Sequence, residues 1–421
     1  MKNFKNSGIE WLGEIPEHWE VVKIKHIFNI GRGRVISQEE LDENGNFPVY
    51  SSQTTNNGIL GYIKTYDFDC EQITWTTDGV NAGTIFLRNG KYNCTNVCGI
   101  LKPRNNENMS FLTYALQNVT PYYKRPDTNG AKIMNNEMAN IQIVYPPLKE
   151  QEQISKFLDE KCEKIQNFIE KKEKLLSLLQ EQKQALINET ITKGLDKNVK
   201  LKNSGIEWLG EIPEHWEVRK LKMLFSFGNG LNITKADFIS FGIPCINYGE
   251  IHSKYPCRLD LSVHKLPFVS ETYLNDKPQS LLSKGDFVFA DTSEDIEGSG
   301  NFTCIQSNIP LFAGYHTIIL RPKTQIYSLY FSFLFDSIFV RNQIREKVWG
   351  VKVFSITKSI LKEVQCFIPP LKEQEQIANF LDEKCEKIDS LVTKIKKQIE
   401  LIKEYKTTLI NEAVCGRMDL K

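Results

Sequence analysis

Two stretches of this chain gather side chains able to grip a polyanion. Tyr122, Tyr123, Lys124 and Arg125 run up to Gly130-Ala131-Lys132, and Arg341, Arg345, Lys347 and Trp349 run up to Gly350-Val351-Lys352. Cationic groups interleaved with aromatic rings before a Gly-bounded loop suit contacts to phosphates and base edges. Each stretch alone also reads as a solvated amphipathic segment; recurrence at comparable places in otherwise unlike halves favours binding. Arg32 and Arg34 add cations around Gly31 and Gly33. Polar clusters follow strand-like runs at Ser51-Ser52-Gln53 and Thr76-Thr77-Asp78, and at comparable places at Asn247-Tyr248 and Asp291-Thr292-Ser293. Amides and hydroxyls read base edges, but they also build ordinary turns, and both readings stand.

Catalytic signatures are missing. The sequence holds no GxxxxGK[ST] loop, HExxH pair or GxSxG elbow. Tyr145-Pro146-Pro147-Leu148 has the prolines of an amino-methyltransferase motif without its leading Asn or Asp and its trailing aromatic. Asp159-Glu160-Lys161 fits the tail of a nuclease D-x-K motif but falls on a helical stretch, where solvated charge is the plainer reading. His18 and His215 sit beside Trp19 and Trp216, with no nucleophile or partner carboxylate recurring to suit catalysis. Cys94 and Cys98 have no second pair that would complete a zinc site. No catalytic residue, metal ligand or cofactor site is expected in this chain.

The elements that must position these groups are written twice. Residues 5–21, KNSGIEWLGEIPEHWEV, return unchanged at 202–218. PPLKEQEQI at 146–154 returns at 369–377, and FLDEKCEKI at 157–165 returns at 380–388. The interiors between these blocks differ almost completely. The offset between copies grows from 197 to 223, so the second half carries 26 extra residues, mostly between about 250 and 290. Identical frames around unlike interiors suggest one docking surface used twice and two different things recognised.

Within the globular parts, Val49-Tyr50, Ile73–Trp75, Thr84–Leu87 and Gly99–Leu101 read as strands. Asn44-Gly45, Asn57-Gly58, Asp78-Gly79 and Asn89-Gly90 supply turn signals between them. Phe111–Gln117 and Tyr327–Arg345 read as helical. After Pro147 and Pro370, suited to a first helical turn, come stretches free of Gly and Pro until Gly194 and Gly416. Leu158, Ile165, Leu179 and Leu186 mark a seven-residue period in the first, with Phe168 and Leu175 on a neighbouring seam. Leu381, Ile388, Ile395, Ile402 and Leu409 do so in the second, with Leu391 and Tyr405 beside them. The period predicts two coiled-coil helices, each about 65 Å long at 1.5 Å per residue. Paired about a pseudo-two-fold axis, they run antiparallel and hold the globular parts at opposite ends. The fold class is thus mixed α/β (α+β), in the order globular 1–145, helical 146–200, globular 201–368, helical 369–421.

The whole chain carries 53 basic and 52 acidic side chains, a formal charge of +1. Residues 1–145 hold 14 basic and 15 acidic groups and residues 201–368 hold 18 and 17, so neither globular part has the basic excess of an indiscriminate nucleic-acid binder. Ten cysteines without framework spacing, no apolar leader and no run of about 18 apolar residues lead to the expectation of a soluble, cytoplasmic protein with no membrane partner.

Gly13-Glu14-Ile15-Pro16 with Trp19, and Pro146-Pro147-Leu148 with Glu150-Gln151, each present twice in alternation, resemble the specificity subunit of type I restriction–modification systems. The resemblance spans essentially the whole chain. It implies two target-recognition domains reading the halves of an interrupted double-stranded DNA sequence, set apart by an antiparallel coiled coil. It implies a non-catalytic subunit that recruits two modification subunits and the restriction subunits. S-adenosylmethionine, ATP and Mg are then bound by those partners, and this chain holds no cofactor. The repeated frames become docking sites for the modification subunits, carried by Trp11, Ile15, Pro16 and Trp19, by Trp208, Ile212, Pro213 and Trp216, and by Glu150, Gln151, Glu373 and Gln374. A coiled-coil scaffold holding two protein-binding modules apart remains the competing reading, and an enzyme with an unrecognised site a more distant one.

Overall fold

A computed structural model describes residues 3–128, 130–206, 210–350 and 352–419. The chain forms two compact units, residues 1–173 with 395–421, and residues 174–394. The units cut across the four segments expected from sequence, because each takes part of both long helices.

In the first unit, an antiparallel sheet runs in the order Ile85–Arg88, Gln72–Thr76, Cys98–Pro103, Phe28–Arg32. A second sheet runs Ile59–Ile63, Phe47–Tyr50, Lys91–Cys94, Phe68–Asp69, its middle pair parallel. The strand-like runs of the sequence all lie in these sheets, but two turn signals do other work. Asn89-Gly90 is no hairpin, since the strands it joins belong to different sheets. Asp78–Gly79 is itself a short strand, paired with Gly130–Lys132, which in turn pairs with Arg125–Asp127. Helix Met109–Val119 starts at Asn108, whose side chain accepts from the Phe111 N–H at 2.8 Å, a cap that satisfies an otherwise orphaned donor.

The second unit repeats the plan on a larger scale. Its main sheet runs Phe225–Asn229, Thr317–Pro322, Phe287–Ala290, Phe302–Ile305, Cys257–Leu259. The last strand has no counterpart in the first unit. It comes from the extra 26 residues and lies parallel against Phe302–Ile305. Phenylalanines fill the space behind this sheet, with Phe225, Phe287, Phe289 and Phe302 all buried against Phe331 and Phe335. The helical stretch read from Tyr327 to Arg345 is two helices, Ser328–Asp336 and Ile338–Arg345. Extended Ser337 breaks it, and its hydroxyl caps the second helix at the Val340 N–H.

The long helices are Leu148–Lys193, of 46 residues, and Leu371–Val414, of 44. They pair antiparallel within each unit. In the first unit Lys403 faces Glu173, while Gly416 lies against Trp19, which bonds to Glu150 at the start of the first long helix. In the second, Lys183 meets Asp389 at 2.7 Å and Gly194 lies against Glu373. The main seams fall where the sevenfold period puts them, but the neighbouring seams do not. Phe168, Leu175, Leu391 and Tyr405 are exposed. Cys162, Ile169 and Leu176, and Cys385, Val392 and Ile399, turn inward instead. A 3.5-residue repeat alternates steps of three and four; from Ile165 and Ile388 the inward step is four residues, not three.

Candidate nucleic-acid interface and the repeated clasp

The repeated frame builds a clasp. Trp19 is buried, and its Nε1–H donates to Glu150 Oε2 at 3.0 Å while His18 Nε2 meets Glu150 Oε1 at 2.6 Å. In the second unit Trp216 donates to Glu373 Oε1 at 3.1 Å and His215 meets Glu373 Oε2 at 2.7 Å. One carboxylate on the first turn of each long helix therefore holds an indole and an imidazole together. Gln151 and Gln374 donate from Nε2 to the carbonyls of Pro146 and Pro369, both at 2.9 Å. A glycine ending the other helix closes each clasp. Gly416, at φ +71°, would put a Cβ 2.6 Å from Pro16 and 2.8 Å from the Trp19 ring, and Gly194, at φ +74°, abuts Trp216. Only glycine accepts both the left-handed backbone and the contact.

This geometry corrects the docking assignment. Ile15, Pro16, Trp19, Ile212, Pro213, Trp216, Gln151 and Gln374 are buried, and Trp11 stacks on Tyr122 at 4.5 Å. Glu150 and Glu373 are committed to the clasp, and Trp208 lies outside the described residues. The repetition read as an outward surface is in large part an internal joint. Glu373→Ala strands the buried Trp216 N–H; a loss of about 1–3 kcal/mol is expected, measured as a lower denaturant midpoint.

Several candidate DNA contacts of the first unit are also engaged within the fold. Thr76 and Thr77 are buried, their hydroxyls donating to the carbonyls of Asn81 and Val97. Ser51 is buried, and Gln53 donates to the Ile59 carbonyl. Arg34 bridges Glu40 at 2.7 Å and Asp67 at 3.0 Å; the bond to Glu40 and the field of both carboxylates hold its pKa up. Arg125 pairs with Glu137 and Lys132 with Asp127, the latter at 3.0 Å. The Lys132 bond keeps the Asp127 carboxyl below its usual range. Arg32 is exposed and contacts Met134 Sδ at 3.3 Å. Lys124 is exposed, Tyr123 half-buried, and Asp78 sits opposite Lys132 in the sheet.

In the second unit the structure brings Tyr248, Thr292 and Ser293 together around a cleft of about 750 Å³. Asn247 and Asp291 lie beside it, Asp291 meeting His316 Nδ1 at 3.0 Å. Tyr248 packs edge-on against His316 and Tyr315. Asn247 and Ser293 are buried. Arg341, read from sequence as a phosphate contact, instead ties the fold: Nη1 donates to Asn301 Oδ1 at 2.9 Å and Nη2 to Asp336 at 2.8 Å. Asn301 Nδ2 reaches His252 Nδ1 at 2.9 Å, and His252 Nε2 reaches the Thr292 carbonyl at 2.7 Å. That chain fixes the His252 tautomer with its proton on Nε2. Arg345 donates to the Glu297 carbonyl. Lys352 is exposed, and so is Trp349, at 89%.

Sheet register also changes which loop residues correspond. The Ile133 N–H donates to the Thr77 carbonyl and the Ile356 N–H to the Asp291 carbonyl. Ile133 thus matches Ile356, and Lys132 matches Ser355 rather than Lys352. Thr77 and Asp78 match Asp291 and Thr292. Gly31-Arg32-Gly33 and Gly228-Asn229-Gly230, a pair alike in sequence, do correspond in the sheets, for a packing reason. A Cβ at Gly33 would lie 2.1 Å from the Cys94 carbonyl, and one at Gly230 1.9 Å from that of Gly314.

Each unit thus joins a mixed α/β fold to an antiparallel pairing of the long helices, and the second unit repeats the plan of the first. The chain belongs to the type I restriction modification DNA specificity domain family, whose model matches residues 16–178 and 213–401. A putative type I specificity subunit of Mycoplasma pneumoniae is 31% identical over 366 residues, 86% of this chain and 87% of that protein. A type I restriction enzyme specificity subunit of Methanocaldococcus jannaschii is 28% identical, over 97% of this chain and 94% of that one. A chain from a solved type I restriction–modification assembly aligns over 96% of this chain and 99% of its own, with TM-score 0.70 at 14% identity. That likeness is one of fold.

Among the described residues, no helix is long and apolar enough to cross a membrane.

Proposed function

We propose that this chain is the non-catalytic DNA-reading subunit of a type I restriction–modification assembly. Residues 1–145 and 201–368 each read one half of an interrupted double-stranded target. The long helices set the separation of the halves. Two modification subunits dock on the repeated frames, and restriction subunits join them. The methyl donor S-adenosylmethionine, ATP and Mg belong to those partners.

The observation that carries this reading is the contrast between frames and interiors. Burial accounts for the identity of Trp19, Ile15 and their copies, which must fit the clasp. It does not account for Glu14 and Glu17, whose copies are Glu211 and Glu214 and which are exposed in both units. An unchanging outward surface beside diverged interiors fits one partner met twice. Those exposed residues replace the buried tryptophans as the proposed docking groups.

With 53 basic against 52 acidic side chains, the chain has no basic excess, the charge footprint through which counterion release drives affinity for a duplex. The isolated chain is expected to bind DNA weakly at physiological salt, and added modification subunits to restore sequence-specific binding. Fluorescence anisotropy with a cognate and a scrambled duplex reads both. Tight, specific binding by the chain alone would contradict this division of labour.

A further inference from the structure

Resting on that reading, we infer that the turn Asn56-Asn57 is a base-reading element of the first unit, presenting its amides to an adenine in the half-site. The turn closes the loop between strands Phe47–Tyr50 and Ile59–Ile63. Both asparagines hold left-handed backbone, at φ 49° and 51°, and both side chains are exposed. Two consecutive non-glycine residues in this region are costly unless their surroundings impose it.

Those surroundings are unusual. Arg88 is 2% exposed and pairs with no carboxylate among the described residues. Its guanidinium lies 3.6 Å from the Tyr50 ring centroid and 4.2 Å from that of Phe86. Nη1 donates to the Asn57 carbonyl at 2.9 Å, and Nε to Thr74 Oγ1 at 3.3 Å. Gly58, at φ +79°, lets the chain pass so close that a Cβ would lie 2.9 Å from Arg88 Nη2. A buried cation held by aromatic faces and backbone is expensive, and here it fixes the backbone of one exposed turn.

Neither asparagine amide is used in a hydrogen bond among the described residues, so each keeps a donor and an acceptor facing outward. That pair matches the N6 donor and N7 acceptor of adenine in the major groove. The corresponding strand of the second unit, Ile243–Ile246, runs instead into helix Tyr248–Ser253, so this element is peculiar to one reader.

The test uses the chain assembled with its modification subunits and a DNA library randomised across the target. Asn56→Gly and Asn57→Gly keep the left-handed turn while removing the amide, and Asn57→Asp keeps the shape but loses the donor. The expected result is lost preference at one adenine of the half-site read by the first unit, with methylation of the original target reduced on the order of tenfold or more, and the other half unchanged. An unaltered motif at an unaltered rate overturns the inference. So does uniform weakening on all sequences, which marks a phosphate contact, or failed assembly, which marks a protein contact. A chimera with a relative's residues 22–145 separates the levels. If it changes one half of the motif while the asparagine variants change nothing, the inference falls and the proposed function stands.

Discussion

Trp216→Ala is expected to destabilise the second unit by about 3–5 kcal/mol, the range for emptying a fully buried large side chain. The indole is wholly buried, tilts against Phe367 and abuts the glycine that ends the first long helix. Its loss opens a cavity where sheet, helix start and helix end meet, and it leaves Glu373 with His215 alone. Trp19→Ala removes the same joint from the first unit. Calorimetry should show a transition lowered by roughly 6–20 °C in each variant, at about 2–4 °C per kcal/mol for units of this size. A shift of a degree or less would mean that the clasp is not what joins the globular parts to the helices.

Much of this architecture was legible because it rests on periodicity and repetition. The sevenfold spacing from Leu381 to Leu409 marks a helix pair whatever the partner, and the matched PPLKEQEQI blocks place both helix starts. The neighbouring seam is ambiguous in sequence because Phe168 and Ile169 are both apolar, as are Leu391 and Val392. Sequence does not choose between adjacent apolar residues; pairing does. Repetition alone does not distinguish a surface for a partner from an internal joint. Only the approach of Glu150 and Glu373 to two indoles separates them.

The reading groups were less legible, and the cause is charge pairing. Arg34, Arg125, Lys132 and Arg341 look like free cations in sequence, yet each meets a carboxylate five to twelve residues away, which local turns and helix ends fold back onto it. Thr76 ends a strand and Thr77 follows it, both turned inward. Gly130-Ala131-Lys132 and Gly350-Val351-Lys352 look alike in sequence, whereas the sheets place Lys132 and Ser355 at equivalent positions. Nothing local in the sequence marks Arg88. Its role depends on Tyr50 and Asn57, both more than 30 residues away.

Exchanging residues 22–145 for the same stretch of a relative is the second large effect, a change of specificity rather than of stability. Both clasps keep their tryptophans and glutamates in such a chimera, and both long helices are untouched. Methylation of the original target should fall to background while a hybrid target, with one half new and the other retained, becomes methylated. Sequencing the methylome of a host that carries the chimera with its modification subunits therefore tests the modular, two-reader account most directly. The account predicts a bipartite motif with one half replaced and with the other half and the spacer unchanged. A motif altered in both halves, or in neither, would contradict it.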